Sequence, residues 1–328
     1  MLSINNLAVE FEVKNMSNES QRLKAVNDIS LEIQQGETLA IVGESGSGKS
    51  QLFNAVMGLL PKNAGVSGEI TFQDQSLLAL NTKQLNKIRG NEIGMIFQDP
   101  MTALNPYLRI GKQLTEVLEA HQDSTQKTDK ESYKEQAIKI LERVQIKDAR
   151  QRFDSYPHEL SGGMRQRIVI AMALLGKPKL IIADEPTTAL DVTIQTEIMR
   201  LLKDIHNTEN TSIVLITHDL PLVAGLCDRI AVMYAGRIVE MGTVDEILLQ
   251  SKHPYTQALL KATPQHSKDS KRMQAIEGSP PDPLHLPQGC SFNPRCSQTL
   301  DECFVEQPPL RISKDAHQYR CFIEEDKS

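Results

Sequence analysis

No run of about 18 consecutive apolar residues occurs in this chain, so no segment of it reads as a membrane-spanning helix. The opening residues, Met1-Leu2-Ser3-Ile4-Asn5-Asn6, lack the basic-then-apolar layout of a secretory signal, and a cytosolic protein is expected. A basic surplus is also missing: 36 Lys and Arg face 42 Asp and Glu, a net charge of −6 that argues against a nucleic-acid partner. Cysteine is almost absent from the body of the chain, where Cys227 stands alone, yet Cys290, Cys296, Cys303 and Cys321 crowd the tail. In a reducing compartment such a cluster points to metal ligation rather than to disulfides. No internal repeat and no heptad run interrupts an otherwise ordinary globular composition, 40% hydrophobic and 24% charged. At 328 residues the chain exceeds the ~250–300 that one core usually serves, so a main domain with an appendage is expected.

The patterning changes along the chain. Leu7–Val13 and Ile29–Ile33 alternate apolar and polar residues and predict antiparallel strands with one wet face. Thr38–Val42 is nearly continuous and apolar, as in a strand buried on both faces, and Gln51–Leu60 behind it carries helical periodicity. Gln113–Ala120 and Glu131–Val144 read as amphipathic helices on either side of the polar stretch His121–Lys130, a helical insert. Strand–helix alternation then returns: Leu180–Ala183, Val192–Ile205, Ser212–Ile216, a helix around Leu220–Leu226, and Ile230–Tyr234. Buried parallel strands alternating with helices predict an α/β core.

Between the first buried strand and its helix lies Gly43-Glu44-Ser45-Gly46-Ser47-Gly48-Lys49-Ser50, which satisfies the phosphate-loop pattern at every position. Glycines let successive backbone N–H groups face an anion, and the following helix terminus adds positive potential. Lys49 is expected to reach the β- and γ-phosphates of ATP, and the Ser50 hydroxyl to ligate Mg²⁺. The apolar run ending at Ala183 delivers Asp184, placed to hold Mg²⁺, and Glu185, the candidate general base for an attacking water. Ser161 and Gly163 open a helix and so form a second anion-binding terminus.

With Leu160-Ser161-Gly162-Gly163-Met164-Arg165-Gln166-Arg167 between the loop and the carboxylates, and His218 beyond them, the chain resembles the ATP-binding subunit of an ABC (ATP-binding cassette) transporter over residues 1–262. The resemblance implies an ABC-type P-loop NTPase core. To it belong an antiparallel β subdomain, a helical subdomain at 99–175, a linker at 263–289 and a small Cys-containing extension at 290–328. It also implies that Gln98 approaches the metal and the water and couples the site to the membrane subunit, and that His218 contacts the γ-phosphate. The Ser161–Gly163 signature and Asp191, in the segment Ala189-Leu190-Asp191, are expected to act in trans on ATP held by a partner. Phe11 is the candidate for stacking on adenine.

Tyr156-Pro157-His158-Glu159-Leu160, Ala189–Gln195 and His253-Pro254-Tyr255-Thr256-Gln257-Ala258-Leu259-Leu260, with the cysteine tail, are similar to the ATPase subunits of bacterial dipeptide/oligopeptide importers, a group that includes nickel importers. That resemblance implies a heterodimer with a related ATPase subunit on the cytoplasmic face of the inner membrane, under two permeases fed by an extracytoplasmic substrate-binding protein. Non-transport ABC ATPases of DNA repair or of ribosomes are the rival class. The former insert long coiled coils and the latter carry two cassettes, and neither feature is present. In the tail, Cys290-x₅-Cys296-x₆-Cys303-x₁₇-Cys321 offers four thiolates to Zn²⁺ or to an iron–sulfur cluster, without the tight pair common in structural zinc sites. Family resemblance implies a [4Fe–4S] cluster; His317 is an alternative ligand or an exposed bystander.

Overall fold

The computed structural model describes residues 1–14, 18–121, 130–262, 275–313 and 316–323. Residues 122–129 of the expected polar stretch and 263–274 of the expected linker lie outside them. The chain divides into two compact units, one comprising Met1–Gln34, Thr38–Ala79 and Thr217–Ser328, the other Gln35–Glu37 and Leu80–Ile216.

In the first unit the alternating N-terminal segments are antiparallel strands, Leu2–Lys14 and Ser20–Ile33, paired Leu2 to Ile33 and Ile4 to Leu31. On its other edge Leu2–Lys14 takes Ala64–Phe72, which had no clear sequence signal. Leu2, Ile4, Leu7, Val9, Ile29, Leu31 and Ile33 are buried together, so the alternation is a one-faced core as expected. Asn6 sits at φ 47° where the register slips, and Gly68 at φ 99° faces it. A Cβ on Gly68 would meet the Asn6 carbonyl at 2.5 Å, which is why the bulge needs glycine.

A second group of strands surrounds Thr38–Val42, every residue of which is buried. Arg229–Tyr234 runs parallel to it, and Arg237–Thr243 and Gln318–Tyr319 continue the sheet antiparallel. Thr38 and Asp228 clasp the near ends of the parallel pair, the Thr38 N–H and hydroxyl both donating to Asp228 Oδ2 at 2.8 and 2.6 Å. The helix after the glycine loop is shorter than its periodicity suggests. It covers Lys49–Val56 and stops before Gly58, at φ 59°, and Pro61, leaving Leu59 exposed.

In the second unit Ile93–Ile96, Leu180–Asp184 and Ser212–Thr217 form a parallel set with Ile93 beside Leu180 and Leu180 beside Ser212. The insert is helical as predicted: Ile110–His121 and Lys130–Arg143 bury Ile110, Leu114, Ala137, Ile138 and Leu141. Gly162–Leu174 is tied to them by the buried Arg167, which donates to the Val144 carbonyl at 2.9 Å and to Glu197 at 2.8 Å. Among the described residues no helix is long and apolar enough to cross a membrane.

His317 is not the exposed bystander of the sequence reading. It is 2% exposed, and its Nε2 lies 2.8 Å from Oε1 of Glu240, which also accepts the N–H of Lys252 and of His253. His253 is buried too, its Nδ1 accepting the Tyr255 N–H at 3.0 Å as cap of the helix Pro254–Lys261. Burial pushes the His253 imidazole down to about 4, against ~6.5 in an unfolded chain. The unfolded state therefore takes up the proton first. Stability is fully present above pH ~6.5 and falls by up to about 3 kcal/mol as pH drops toward 4. His253→Asn keeps a capping side chain and should lose this part of the acid sensitivity; urea unfolding of both proteins across that pH window checks it. An equal slope would remove His253 from the account.

Candidate nucleotide site

The phosphate loop grows from the carboxyl end of a fully buried strand, and sterics allow only glycine at its two bends. A Cβ at Gly43 would lie 2.2 Å from the Met233 carbonyl, and one at Gly48 equally close to the Ala25 carbonyl. Gly48 also sits at φ 98°, which L side chains rarely adopt. Lys49 is buried, and its ammonium folds back to donate to the carbonyls of Gly43 at 2.7 Å and Glu44 at 2.9 Å. The Gly236 N–H donates to the Ser47 carbonyl, so the turn after Arg229–Tyr234 props the loop from below. Buried Ser47 Oγ has no hydrogen-bond partner among the described residues.

In the same unit His218 is exposed directly after the Ser212–Thr217 strand, whose last hydroxyl accepts the Asp219 N–H at 3.0 Å. Phe11 is half-buried, paired with Leu23 on one side and Ala64 on the other. Two contacts to the loop escape sequence reasoning. The Tyr255 hydroxyl accepts the Glu44 N–H at 2.9 Å, and Arg295 forms an ion pair with the Glu44 carboxylate at 2.7 Å. Tyr255 was visible only as part of a family motif, and Arg295 only as a residue between cysteines.

The other unit carries the carboxylates. Asp184 is buried as the last residue of its strand, and Glu185 follows with its backbone at φ 45° and its N–H donating to the Ile216 carbonyl. Glu185 Oε2 accepts from Gln98 Nε2 at 3.0 Å and from the Thr188 hydroxyl at 2.8 Å. The structure thus brings Gln98 and Glu185 together and adds Thr188, which the sequence did not single out. Gly162–Leu174 opens at Ser161, whose Oγ accepts the Met164 N–H at 3.3 Å; Ser161 and Gly162 are exposed. Asp191 caps the helix Val192–Glu209 through the Ile194 N–H at 3.0 Å, and Ala189 before it stands at φ 61°.

The tail cysteines carry no disulfide; Cys303 and Cys321 are buried, Cys290 and Cys296 half-buried. Burial pushes the Cys290 thiol up to about 11. Among the described residues no group of three or more His, Cys, Asp or Glu side chains is arranged to hold a metal ion.

A phosphate-loop pattern after a buried strand, a buried aspartate with an adjacent glutamate, and a helix opening at the exposed Ser161 are the features of an ATP-binding cassette. Residues 26–188 match the ABC transporter family, and residues 239–303 match the C-terminal region of oligopeptide/dipeptide transporters. The chain is 46% identical over 327 residues to the oligopeptide transport ATP-binding protein OppD of Haemophilus influenzae, covering 100% of this chain and 98% of that one. It is 45% identical to the dipeptide transport ATP-binding protein DppD of Escherichia coli, over 98% and 96% of the two chains. Among solved structures, a dimeric ATP-binding cassette in a post-hydrolysis state with ADP and Pi is similar at a TM-score of 0.65 and 28% identity, over 74% of this chain and 99% of that one. The chain belongs to the ATP-binding proteins of the oligopeptide/dipeptide ABC transporter family, and its α/β fold with an antiparallel β subdomain is that of the ABC ATPases.

The loop's tight packing yields a direct expectation. Gly48→Ala combines a forbidden φ with a collision against backbone, and should cost about 2–4 kcal/mol and abolish ATP binding. Chemical unfolding and nucleotide titration of the purified variant measure both; an alanine tolerated without loss would refute the geometry.

Proposed function

We propose that this chain hydrolyses ATP to power the import of di- and oligopeptides, and that it does so as one of two related ATPase subunits beneath two permeases. The observation that carries the reading is Glu185: a strained, half-buried carboxylate directly after a strand-end aspartate, held by Gln98 and Thr188. Strain of this kind persists where the surroundings over-determine it, and it clusters at functional sites.

In this reading Gly43, Glu44, Ser45, Gly46, Ser47, Gly48, Lys49 and Ser50 hold the phosphates, with Phe11 against the adenine. Lys49 exchanges its two loop carbonyls for phosphate oxygens. Glu185 accepts the proton of the water that attacks the γ-phosphorus, while the Gln98 amide orients that water and His218 contacts the γ-phosphate. Ser50, Asp184 and Gln98 would hold Mg²⁺, which would neutralise charge on the phosphate oxygens; the buried Asp184 carboxylate and hard oxygen donors suit it.

Ser161, Gly162, Gly163 and Asp191 serve ATP bound by the partner subunit. Support for this is the exposure of Ser161, Gly162 and Asp191 in this chain and the dimeric assembly of the similar cassette. ATP then acts as glue between subunits, and its hydrolysis releases them. Family membership supports a place on the cytoplasmic face of the bacterial inner membrane, with peptide delivered by an extracytoplasmic binding protein.

Glu185→Gln should reduce turnover by at least about 100-fold while leaving ATP affinity in place, since the base is lost and the phosphate cradle is not. The variant should accumulate as an ATP-held dimer in size-exclusion chromatography of the assembled complex; near wild-type turnover would rule Glu185 out as base. For the tail we propose a [4Fe–4S] cluster on Cys290, Cys296, Cys303 and Cys321, with Zn²⁺ as the alternative, supported by four unpaired thiols in one short segment. Anaerobic purification should give about four irons per chain for the cluster. Colourless protein with stoichiometric zinc selects the alternative, and protein with neither metal refutes both.

A further inference from the structure

A carboxylate inside a loop that must hold a triphosphate works against its purpose. Glu44 is the second residue of the loop, and its carbonyl accepts from the Lys49 ammonium at 2.9 Å. Its side chain therefore begins beside the cation assigned to the β- and γ-phosphates. An ionised, unpaired Glu44 would repel ATP from well within the ~8 Å screening length of physiological salt.

The C-terminal tail meets that charge. Arg295, closing the short turn Asn293–Arg295 between Cys290 and Cys296, extends both terminal nitrogens to Glu44, Nη1 to Oε2 at 2.7 Å and Nη2 to Oε1 at 3.1 Å. Its Nε donates to the Glu277 carbonyl at 3.0 Å, and its guanidinium lies 5.9 Å from the Tyr234 ring centroid, within reach of that hydroxyl. Only 3% of the side chain is exposed. A cation buried to that extent is tolerated only when paired, and the two-pronged fit to a carboxylate is the geometry that arginine and not lysine provides. The hydrogen bond to Glu44 is also the foremost cause that raises the Arg295 pKa above its ordinary value. Phe292 completes the dock, packing edge-on against Tyr234 at 5.2 Å and Tyr255 at 5.3 Å, the tyrosine whose hydroxyl holds the Glu44 N–H.

We propose that Arg295 is a positioning residue for ATP binding: it cancels the Glu44 charge and pins the phosphate loop, so that the C-terminal tail sets the affinity of this chain for ATP. The inference rests on the reading of the loop as the ATP site. It separates charge cancellation from mere packing, because a neutral residue 44 needs no cancelling.

The test is steady-state ATP hydrolysis by the assembled complex carrying wild-type chain, Arg295→Gln, Glu44→Gln or both. Arg295→Gln should raise KM for ATP about tenfold at unchanged kcat, the effect of one uncancelled charge a few ångströms from the phosphates. Adding Glu44→Gln should return KM most of the way to wild type. A KM that does not move in Arg295→Gln, or a double variant as impaired as the single one, would overturn the proposal in favour of packing alone. Thermal unfolding monitors integrity. Where Arg295→Gln fails to fold, Arg295→Lys decides: it keeps the cancelling charge, so KM for ATP should stay within about twofold of wild type, and a tenfold rise would overturn the proposal. Wild-type protein unable to bind ATP would instead sink the nucleotide reading itself, which Lys49→Ala controls for.

Discussion

The Lys49 ammonium, donating to the Gly43 and Glu44 carbonyls, is the contact on which the nucleotide-binding unit depends. A buried cation requires partners, and before a phosphate arrives the loop's own backbone supplies them. The same bonds hold those carbonyls turned toward the lysine, leaving the loop N–H groups to face an anion. That curvature is in turn enforced from outside, by the Met233 and Ala25 carbonyls packed where any Cβ of Gly43 or Gly48 would go. The loop is thus preorganised, and little ordering cost is left for ATP to meet. Arg229–Tyr234, whose partner strand leads into the loop, supplies both Met233 and Tyr234, so one strand serves packing and charge at once.

In the second unit the corresponding constraint is strain. Glu185 and Ala189 both occupy left-handed backbone, at a cost of order 1–3 kcal/mol each. The Glu185 N–H to Ile216 bond, the Gln98 and Thr188 contacts, and the Asp191 cap on the next helix offset it. The result is a segment between Asp184 and Val192 that turns sharply twice, so that Glu185 and Asp191 both lie outside regular structure while anchored to it. A relaxed segment could place one of these carboxylates; holding both at fixed positions requires the over-determined backbone.

What the sequence discloses and what it hides divide along the range of the interactions. Thr38–Val42, Leu180–Asp184 and Ser212–Thr217 are legible as unbroken apolar runs because burial on both faces is written residue by residue. The glycine loop and the capping Ser161 and Asp191 are legible for the same reason: each is a local backbone requirement met by a local residue. The helix after the loop was over-extended because Leu59 and Leu60 satisfy its period, whereas Gly58 and Pro61 decide its end. Ala64–Phe72 was hidden, since Gly65, Ser67, Gly68 and Glu69 break its alternation and its pairing with Leu2–Lys14 comes from outside. His317 with Glu240, 77 residues apart, and Arg295 with Glu44, 251 apart, leave no periodic trace at all.

These two long-range pairs share a logic. Each places a charged or titratable group from the last part of the chain against a carboxylate of the ATPase core, fully buried in Glu240 and half-buried in Glu44, that is costly to leave alone. Glu240 is fully buried and collects two backbone N–H groups besides His317; Glu44 lies in the phosphate loop and collects the Arg295 fork. Hydrophobic burial of Phe292, of order 1.5–3 kcal/mol, fastens the tail, and the ionic contacts fix where it sits. The C-terminal region shared with oligopeptide/dipeptide transporters therefore joins the compact unit that carries the phosphate loop. Any event that reorganises the four cysteines acts on Cys296, the residue next to Arg295, and reaches the nucleotide loop through the Arg295–Glu44 ion pair and through Phe292 packed on Tyr255.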